Sequence, residues 1–101
     1  TGNGGGSDGK AAQLLPNYPN PFNPETTIRY ELKKKAFVRL TVYTEAGQEV
    51  RALVSLAQLA GQYQVRWNGR DNEGRDVPSG TYHCRLTAGD VKETREMMLL
   101  R

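Results

Sequence analysis

The chain has 101 residues, of which 37% are hydrophobic and 25% are charged, with a formal net charge of +3. This composition predicts one compact domain with a single core, and it excludes a disordered polyelectrolyte, a fibrous protein and a membrane protein. Acidic and basic residues alternate along most of the sequence, and the one basic run is residues 33–35. A solvated turn is the leading interpretation of this run, and a nucleic-acid or lipid contact is the alternative.

The first residues are rich in glycine and lack large apolar side chains, since half of residues 1–10 are glycine. Such a segment has little to offset the entropy of ordering, so residues 1–13 are predicted to be a flexible linker or the remnant of an expression tag. We expect a larger parent protein upstream, with any signal peptide preceding this piece. The lone Cys84 cannot form an internal disulfide, and no apolar stretch approaches the roughly 18 residues of a membrane span.

Residues 14–24 contain four of the five prolines of the chain, together with three asparagines and two aromatic residues. Proline removes a backbone donor and restrains the residue before it to extended geometry, which rules out a helix or a central strand. The segment is therefore predicted to be an ordered, extended loop. Its aromatic residues, Tyr18 and Phe22, are expected to serve as apolar anchors.

After Pro24 the apolar residues alternate with period two, which is typical of half-buried strands. Strands are predicted over residues 28–32, 38–42, 49–56, 62–68, 75–77, 81–88 and 91–100. Residues 75–77 would be a very short edge strand, and residues 57–61 a turn or a single helical turn. The expected core residues are Val38, Leu40, Val42, Tyr63, Val65, Trp67, Tyr82 and Leu86.

Seven short strands without any helix-period segment predict an all-β fold over residues 14–101, namely a seven-stranded antiparallel immunoglobulin-like β-sandwich. The inward parity of Trp67, Tyr63 and Tyr82 favours core positions over a platform for stacking sugars. Nucleophilic catalysis is not expected, because His83 and Cys84 are strand neighbours that point to opposite faces. We expect a protein that is not an enzyme and that uses no cofactor.

Metal binding has one candidate segment, a glycine-bracketed turn that contains Asp71, Asn72, Glu73 and Asp76. Oxygen ligands on a tight loop suit calcium, but the spacing does not match an EF-hand, and these residues are also common in turns. The sequence leaves calcium binding at this turn open. Zinc is not expected, since the chain has one histidine and one cysteine.

Two segments carry more information than folding requires, and they lie near the two ends of the domain. The opening motif is Asn17, Tyr18, Pro19, Asn20, Pro21, Phe22, Asn23 and Pro24, followed by Thr26, Thr27, Ile28 and Tyr30. The closing motif lies in the last predicted strand, which abandons alternation: Arg95, Met97, Met98, Leu99, Leu100 and Arg101. An unbroken apolar run indicates either a strand buried on both faces or an edge offered to a partner, and the residues alone leave both readings open.

With a middle pattern that includes Tyr63, Trp67, Gly69, Asp71 and Tyr82, these motifs resemble the type A C-terminal sorting domain of the type IX (Por) secretion system over residues 15–101. The resemblance implies a cargo-borne address that an export machine in the outer membrane recognises. Such domains are often removed afterwards or used in attachment to the cell surface. The chain departs from the usual family pattern at Glu96, where a basic residue is common.

The resemblance implies two partners, the secretion machinery in the outer membrane and a covalently linked upstream cargo domain. The expected location is secreted or cell-surface, after passage through the periplasm, and the expected state is monomeric, without a nucleic-acid or small-molecule partner. Two alternatives remain. The middle pattern is similar to the immunoglobulin-like domain of flagellar hook-capping proteins, a structural assembly module, and the third class is a carbohydrate-binding module of a secreted glycoside hydrolase.

Overall fold

The alternating pattern produces seven strands in the structure, a computed structural model that describes residues 10–101. Residues 1–9, which belong to the predicted linker, lie outside the described residues. The strands are β1 (Ala12–Leu14), β2 (Thr26–Leu32), β3 (Ala36–Thr44), β4 (Glu49–Gln58), β5 (Gly61–Trp67), β6 (Gly80–Ala88) and β7 (Val91–Leu99). Over residues 10–101, no helix has the length and apolar character needed to cross a membrane.

The strands form two antiparallel sheets that pack face to face. The first sheet has the order β1-β2-β5, and the second has the order β4-β3-β6-β7. The predicted fold class, a seven-stranded all-β sandwich, is confirmed. Consecutive strands β4 and β5 lie in different sheets, and the connection between them consists of two residues, Leu59 and Ala60.

Two strands differ from the sequence-based expectation. The predicted edge strand over residues 75–77 is wrong, because Arg70 and Asp76 form only an isolated bridge. The carboxylate of Asp71 accepts hydrogen bonds from the backbone of Glu73 and Arg75, which curls the segment into a turn. The seventh strand is instead β1, so the sandwich includes residues 12–13, which the sequence placed in the linker.

The end of β4 also differs, because the strand continues through Gln58 where a turn or helical turn was expected from residue 57. Gln58 pairs with Ala36 in β3. Its side-chain oxygen accepts a hydrogen bond of 2.6 Å from the hydroxyl of Tyr30 in the other sheet. These contacts keep residues 57 and 58 in β4, where the sequence alone predicts a turn.

Most of the expected core is buried between the sheets. Six of the eight predicted core residues are buried, and the other two, Tyr63 and Val65, are half-buried and pack against the cluster. Both lie on β5, which is an edge strand of its sheet and is covered on one side only. Trp67 is a core residue, as predicted, and is therefore not placed to stack on a sugar.

An aromatic cluster ties the opening loop to both sheets. The ring of Trp67 lies 5.6 Å from that of Phe22 and 5.5 Å from that of Tyr82. The Trp67 indole N–H donates to the carbonyl of Arg70 at 2.9 Å, so its one polar group is satisfied. Phe22 is 2% exposed and is the anchor that the sequence predicted, whereas Tyr18 is 75% exposed and is not one. The backbone of Tyr18 pairs with Thr27, which leaves its ring outside the core.

Replacing Phe22 by alanine should destabilise the domain by about 3–5 kcal/mol, because the change removes a buried ring and leaves a cavity beside Trp67. The matched change Tyr18→Ala should alter stability by no more than about 0.5 kcal/mol, since that ring is exposed. Urea unfolding of the two variants measures both effects. Similar losses in the two variants would contradict this account of the loop.

Candidate recognition surface

The first half of the opening loop is held by the start of β2. Tyr18 and Thr27 exchange backbone hydrogen bonds of 3.0 and 2.9 Å. The buried Asn17 amide donates to the Thr26 hydroxyl oxygen at 3.0 Å, and that hydroxyl donates to the Pro19 carbonyl at 2.8 Å. This network fixes the direction in which the loop leaves the first sheet.

The second half of the loop lies along the free edge of β7, in the other sheet. The Phe22 N–H donates to the carbonyl of Met98 at 2.9 Å, and the Leu100 N–H donates to the carbonyl of Phe22 at 2.8 Å. Two residues before Phe22, it is the side chain of Asn20, and not its backbone, that forms hydrogen bonds with β7. Its oxygen accepts from the Met98 N–H at 3.0 Å, and its amide donates to the Glu96 carbonyl at 3.3 Å.

The prolines on both sides of Asn20 explain why its side chain takes the place of backbone groups in these hydrogen bonds. Pro19 and Pro21 have no N–H and cannot donate to a neighbouring strand. An asparagine side chain offers the same donor and acceptor pair as a peptide group. The opening motif therefore completes the edge of β7, and the two motifs that are far apart in sequence form one structural unit.

A second set of contacts joins β1 to β7 where the loop begins. The Leu14 N–H donates to the Glu93 carboxylate at 2.7 Å, and the Arg95 guanidinium donates to the Leu14 carbonyl at 3.1 Å. Lys10 pairs with the same carboxylate at 2.6 Å. Burial alone would raise the pKa of Glu93, but the Leu14 N–H, Lys10 and Arg95 together outweigh it and hold that pKa below its ordinary value.

The last residue of the chain closes the other end of the motif. The Arg101 guanidinium donates to the carbonyls of Val77 and Gly69, and its backbone N–H donates to the Ser79 hydroxyl oxygen at 2.8 Å. Gly69 has a φ of +73°, and a Cβ placed there would lie 2.7 Å from the guanidinium. Glycine is therefore favoured at this position by the backbone conformation, and a Cβ there would also displace the Arg101 guanidinium from its carbonyl partners.

The closing strand keeps its alternation, which corrects the prediction that it abandons it. Met97 and Leu99 are fully buried, whereas Met98 is 41% exposed and Leu100 is 49% exposed. The apolar run is thus an inward pair and an outward pair. We define the composite surface as Asn20, Pro21, Met98 and Leu100, which the loop and β7 bring together. A groove of about 240 Å³ runs between Asn20, Pro21 and Met98.

The other motif residues have different places. Asn23 and Pro24 are exposed beyond the composite surface, and the Pro24 carbonyl lies 3.1 Å from the Cβ position of Gly69. Sequence reasoning missed Leu14 and Glu93. For Glu93 a signal exists, because Glu93 and Arg95 are two residues apart and share one face of β7, which lets both side chains reach the backbone of the same residue, Leu14.

The acidic turn of residues 71–76 and Cys84 are not part of the composite surface. Asp71 has a lowered pKa, chiefly because the Arg75 backbone N–H donates to its carboxylate. The Asn72 oxygen accepts from the Ala52 N–H at 2.9 Å, so these side chains have partners within the protein. Over residues 10–101, no three His, Cys, Asp or Glu residues lie close enough together to hold a metal ion. Cys84 is buried, and burial raises its pKa to about 12.

A family model described as the FlgD Ig-like domain matches residues 22–91, well over half of the chain. The chain belongs to the FlgD Ig-like domain family. The match begins at Phe22 and ends at Val91, so most of the opening motif and all of the closing motif fall outside it. The match therefore covers β2 to β6, while β1 and all of β7 after Val91 lie outside it.

Three solved structures share the fold. The dimeric latent form of PorU from Porphyromonas gingivalis has a TM-score of 0.66 and 16% identity, over 88% of this chain and 9% of PorU. PorZ of the same organism, an essential bacterial surface component of the type-IX secretion system, has a TM-score of 0.64 and 24% identity, over 100% of this chain and 13% of PorZ. The DNA glycosylase AlkC of Pseudomonas fluorescens has a TM-score of 0.55 and 17% identity, over 93% of this chain and 32% of AlkC.

At these identities the likeness shows the fold. The chain spans less than a third of the length of each of the three proteins. No curated protein sequence matches it.

Gly69→Ala should destabilise the domain more than Gly74→Ala. Both glycines have positive φ, so both substitutions force a residue with a Cβ into the left-handed region at a cost of about 1–2 kcal/mol. The space around Gly74 is open, whereas a Cβ at Gly69 displaces Arg101 and crowds Pro24. Thermal unfolding compares the two, and equal losses would show that Arg101 is not held there.

The contact of Glu93 with Leu14 should make stability depend on pH. Because the pKa of Glu93 is lowered in the folded state, its contribution is complete above the unfolded pKa of about 4.3 and is lost as the pH falls through the folded value. Glu93→Gln keeps an acceptor for the Leu14 N–H but has no charge. The wild type should exceed this variant in urea stability at neutral pH, and the difference should shrink under acid. A difference independent of pH would contradict the assignment.

Proposed function

We propose that this FlgD Ig-like domain is a non-catalytic C-terminal module that directs its parent protein through type IX secretion across the outer membrane, and that it also supports attachment to the cell surface. The observation that carries the proposal is the docking of the opening motif on the edge of β7, which creates the composite surface. The secretion machinery is the proposed partner, and the composite surface is the part of the domain that it contacts.

The composite surface exists only in the folded domain. Asn20 and Met98 are 78 residues apart, and their contact depends on Phe22 being seated against Trp67. A partner that binds Asn20, Pro21, Met98 and Leu100 together would therefore distinguish folded cargo from unfolded cargo. Both motifs would be needed at once, since each supplies half of the surface.

The exposed apolar side chains of the surface support a recognition role. Met98, on the edge strand β7, is 41% exposed, and Leu100, directly after that strand, is 49% exposed, so apolar surface of both side chains remains in contact with water. Tyr18 adds a third exposed apolar side chain on the loop that precedes Asn20. The fold likeness to PorU and to PorZ, the latter a surface component of the type-IX system, is consistent with this use of the sandwich.

The environment of Cys84 supports the non-catalytic part of the proposal. A pKa of about 12 keeps the thiol protonated at neutral pH, and the thiolate is the nucleophilic form. The residue is buried between the sheets, with Val42 of β3 and Arg95 of β7 as its strand partners. Its contacts are those of a small core residue.

The family match favours a second candidate, a structural assembly domain of the flagellar hook-cap type. In that role the sandwich would contact flagellar subunits, and neither terminal motif would be required. Affinity capture with hook and hook-cap subunits distinguishes the two. Stable capture that is unaffected by substitutions in the composite surface would favour the assembly role.

The decisive experiment attaches the domain to the C-terminus of a periplasmic reporter in a bacterium that carries a type IX system. The double variant Met98→Ser/Leu100→Ser removes both exposed apolar side chains, and we expect the reporter to stay in the periplasm. The control is Leu56→Ser, because Leu56 is 50% exposed but lies on β4, away from both motifs. This control should be delivered to the surface normally.

Normal delivery of the double variant would overturn the proposal. Point substitutions are needed because a deletion of residues 97–101 would also remove Met97 and Leu99 from the core. Such a deletion would block delivery by unfolding the domain. Thermal unfolding of the double variant and of Leu56→Ser, both expected near the wild type, excludes that explanation.

A further inference from the structure

The lysines of the chain are confined to one part of the fold. All five lysines, Lys10, Lys33, Lys34, Lys35 and Lys92, lie at one end of the sandwich, whereas the nine arginines are spread along both sheets, with Arg39 in the same row of paired residues as Lys92. This end contains the turn between β2 and β3, the start of β1 and the start of β7. The composite surface lies at the opposite end, since β7 runs for nine residues, about 27 Å, between the two.

The pairing registers place two connections side by side at this end. Leu32 pairs with Gly61, and Ala36 pairs with Gln58, so the turn of residues 33–35 lies next to the connection of residues 59–60. Both connections cross from one sheet to the other. Leu59, in the connection of residues 59–60, is mostly exposed. Phe37, two residues after the turn of residues 33–35, is half-exposed. We define the lysine pole as the five lysines together with Phe37 and Leu59.

Most of the positive charge at the lysine pole is unpaired. Lys10 pairs with Glu93, and among residues 10–101 the other four lysines have no ion pair. Within residues 10–101, the other carboxylates near this end are Glu31 and Asp90. A groove of about 500 Å³ lies between Lys10, Lys34 and Lys35, and small apolar residues line part of it. The pole thus combines an excess of ammonium groups with exposed apolar side chains.

We propose that the lysine pole binds the surface of a lipid bilayer whose headgroups carry anionic phosphate. Ammonium groups near such a surface are attracted to the phosphates, and apolar side chains on adjacent loops enter the boundary between headgroups and acyl chains. Phe37 and Leu59 are placed to do so because they flank the lysine turn. This proposal does not depend on recognition of the composite surface.

Lipid fits the pole better than nucleic acid does. Single-stranded nucleic acid is held by a basic groove with aromatic side chains on which bases stack, and arginine is the preferred basic side chain for nucleic-acid recognition. The pole has one aromatic side chain, Phe37, which already lies 5.6 Å from the guanidinium carbon of Arg39. Leu59 offers an aliphatic chain, which suits acyl chains and provides nothing to a base.

The test measures cosedimentation of the full chain with vesicles of phosphatidylcholine that contain one third phosphatidylglycerol. We expect binding to these vesicles, little binding to pure phosphatidylcholine, and loss of binding as salt rises towards about 1 M, where the Debye length is about 3 Å. The variant Lys33→Gln/Lys34→Gln/Lys35→Gln should bind about a hundredfold more weakly, at about fivefold for each lysine near the surface.

The matched control removes the same charge elsewhere. Arg29→Gln/Arg66→Gln/Arg85→Gln also lowers the net charge by three, but at exposed positions on β2, β5 and β6 that lie outside the lysine pole. It should bind the anionic vesicles within a few-fold of the wild type. The variant Phe37→Thr/Leu59→Thr, with unchanged thermal unfolding, should also bind more weakly. Equal losses of vesicle binding in the lysine and arginine variants would show that binding depends on net charge alone. That result would overturn the proposal.

Two further arms separate other ligands of the same charge. Inorganic phosphate, at an ionic strength matched with chloride, should leave vesicle binding unchanged; displacement would show a site for a single phosphate ion and not a membrane surface. A short duplex DNA should bind more weakly than the anionic vesicles. Tighter binding to the DNA, or no binding to the vesicles, would overturn the proposal.

Discussion

The seating of Phe22 against Trp67 is the contact on which both ends of the domain depend. The ring fills the space between the two sheets beside Trp67 and Tyr82, and the peptide groups on either side of it pair with Met98 and Leu100. One residue thus contributes to the core with its side chain and to a sheet with its backbone. Because these two roles share one residue, the loop cannot leave β7 without opening the core, and the core cannot loosen at this point without releasing the end of the chain.

The sandwich protects its edges with side chains as well as with strands. An open sheet edge presents unpaired N–H and C=O groups that invite aggregation. The Asn20 side chain bonds to two such groups on β7, and the side chains of Glu93 and Arg95 bond to the N–H and the C=O of Leu14. The side chain of Asn72 accepts from the Ala52 N–H on β4. In each case the polar side chain supplies the hydrogen bond that a neighbouring strand would supply. This arrangement lets the edge end in a surface with its own shape and chemistry, which a continued sheet would not have.

Period-two alternation was sufficient to predict every strand except β1, and it placed Val38, Leu40, Val42, Trp67, Tyr82 and Leu86 in the core. The failures share a physical origin, because each depends on a contact between distant segments. Tyr18 and Phe22 occupy similar proline-rich surroundings, and only the position of Trp67 in three dimensions separates the buried ring from the exposed one. Four consecutive apolar residues carry no parity signal, so the outward direction of Met98 and Leu100 becomes visible only once β7 is paired with β6. The motifs could be identified from sequence, but their contact with each other could not.

The confinement of the lysines to one end has a practical consequence for handling the domain. Reagents that couple to side-chain amines will react at one end of the sandwich, because no lysine lies near Asn20, Met98 or Leu100. A biosensor chip or bead that captures the domain through those amines will hold it in one preferred orientation, with the opposite end facing the solution. Chemistry directed at guanidinium groups has no such preference, since the arginines are spread over both sheets and reach the last residue of the chain.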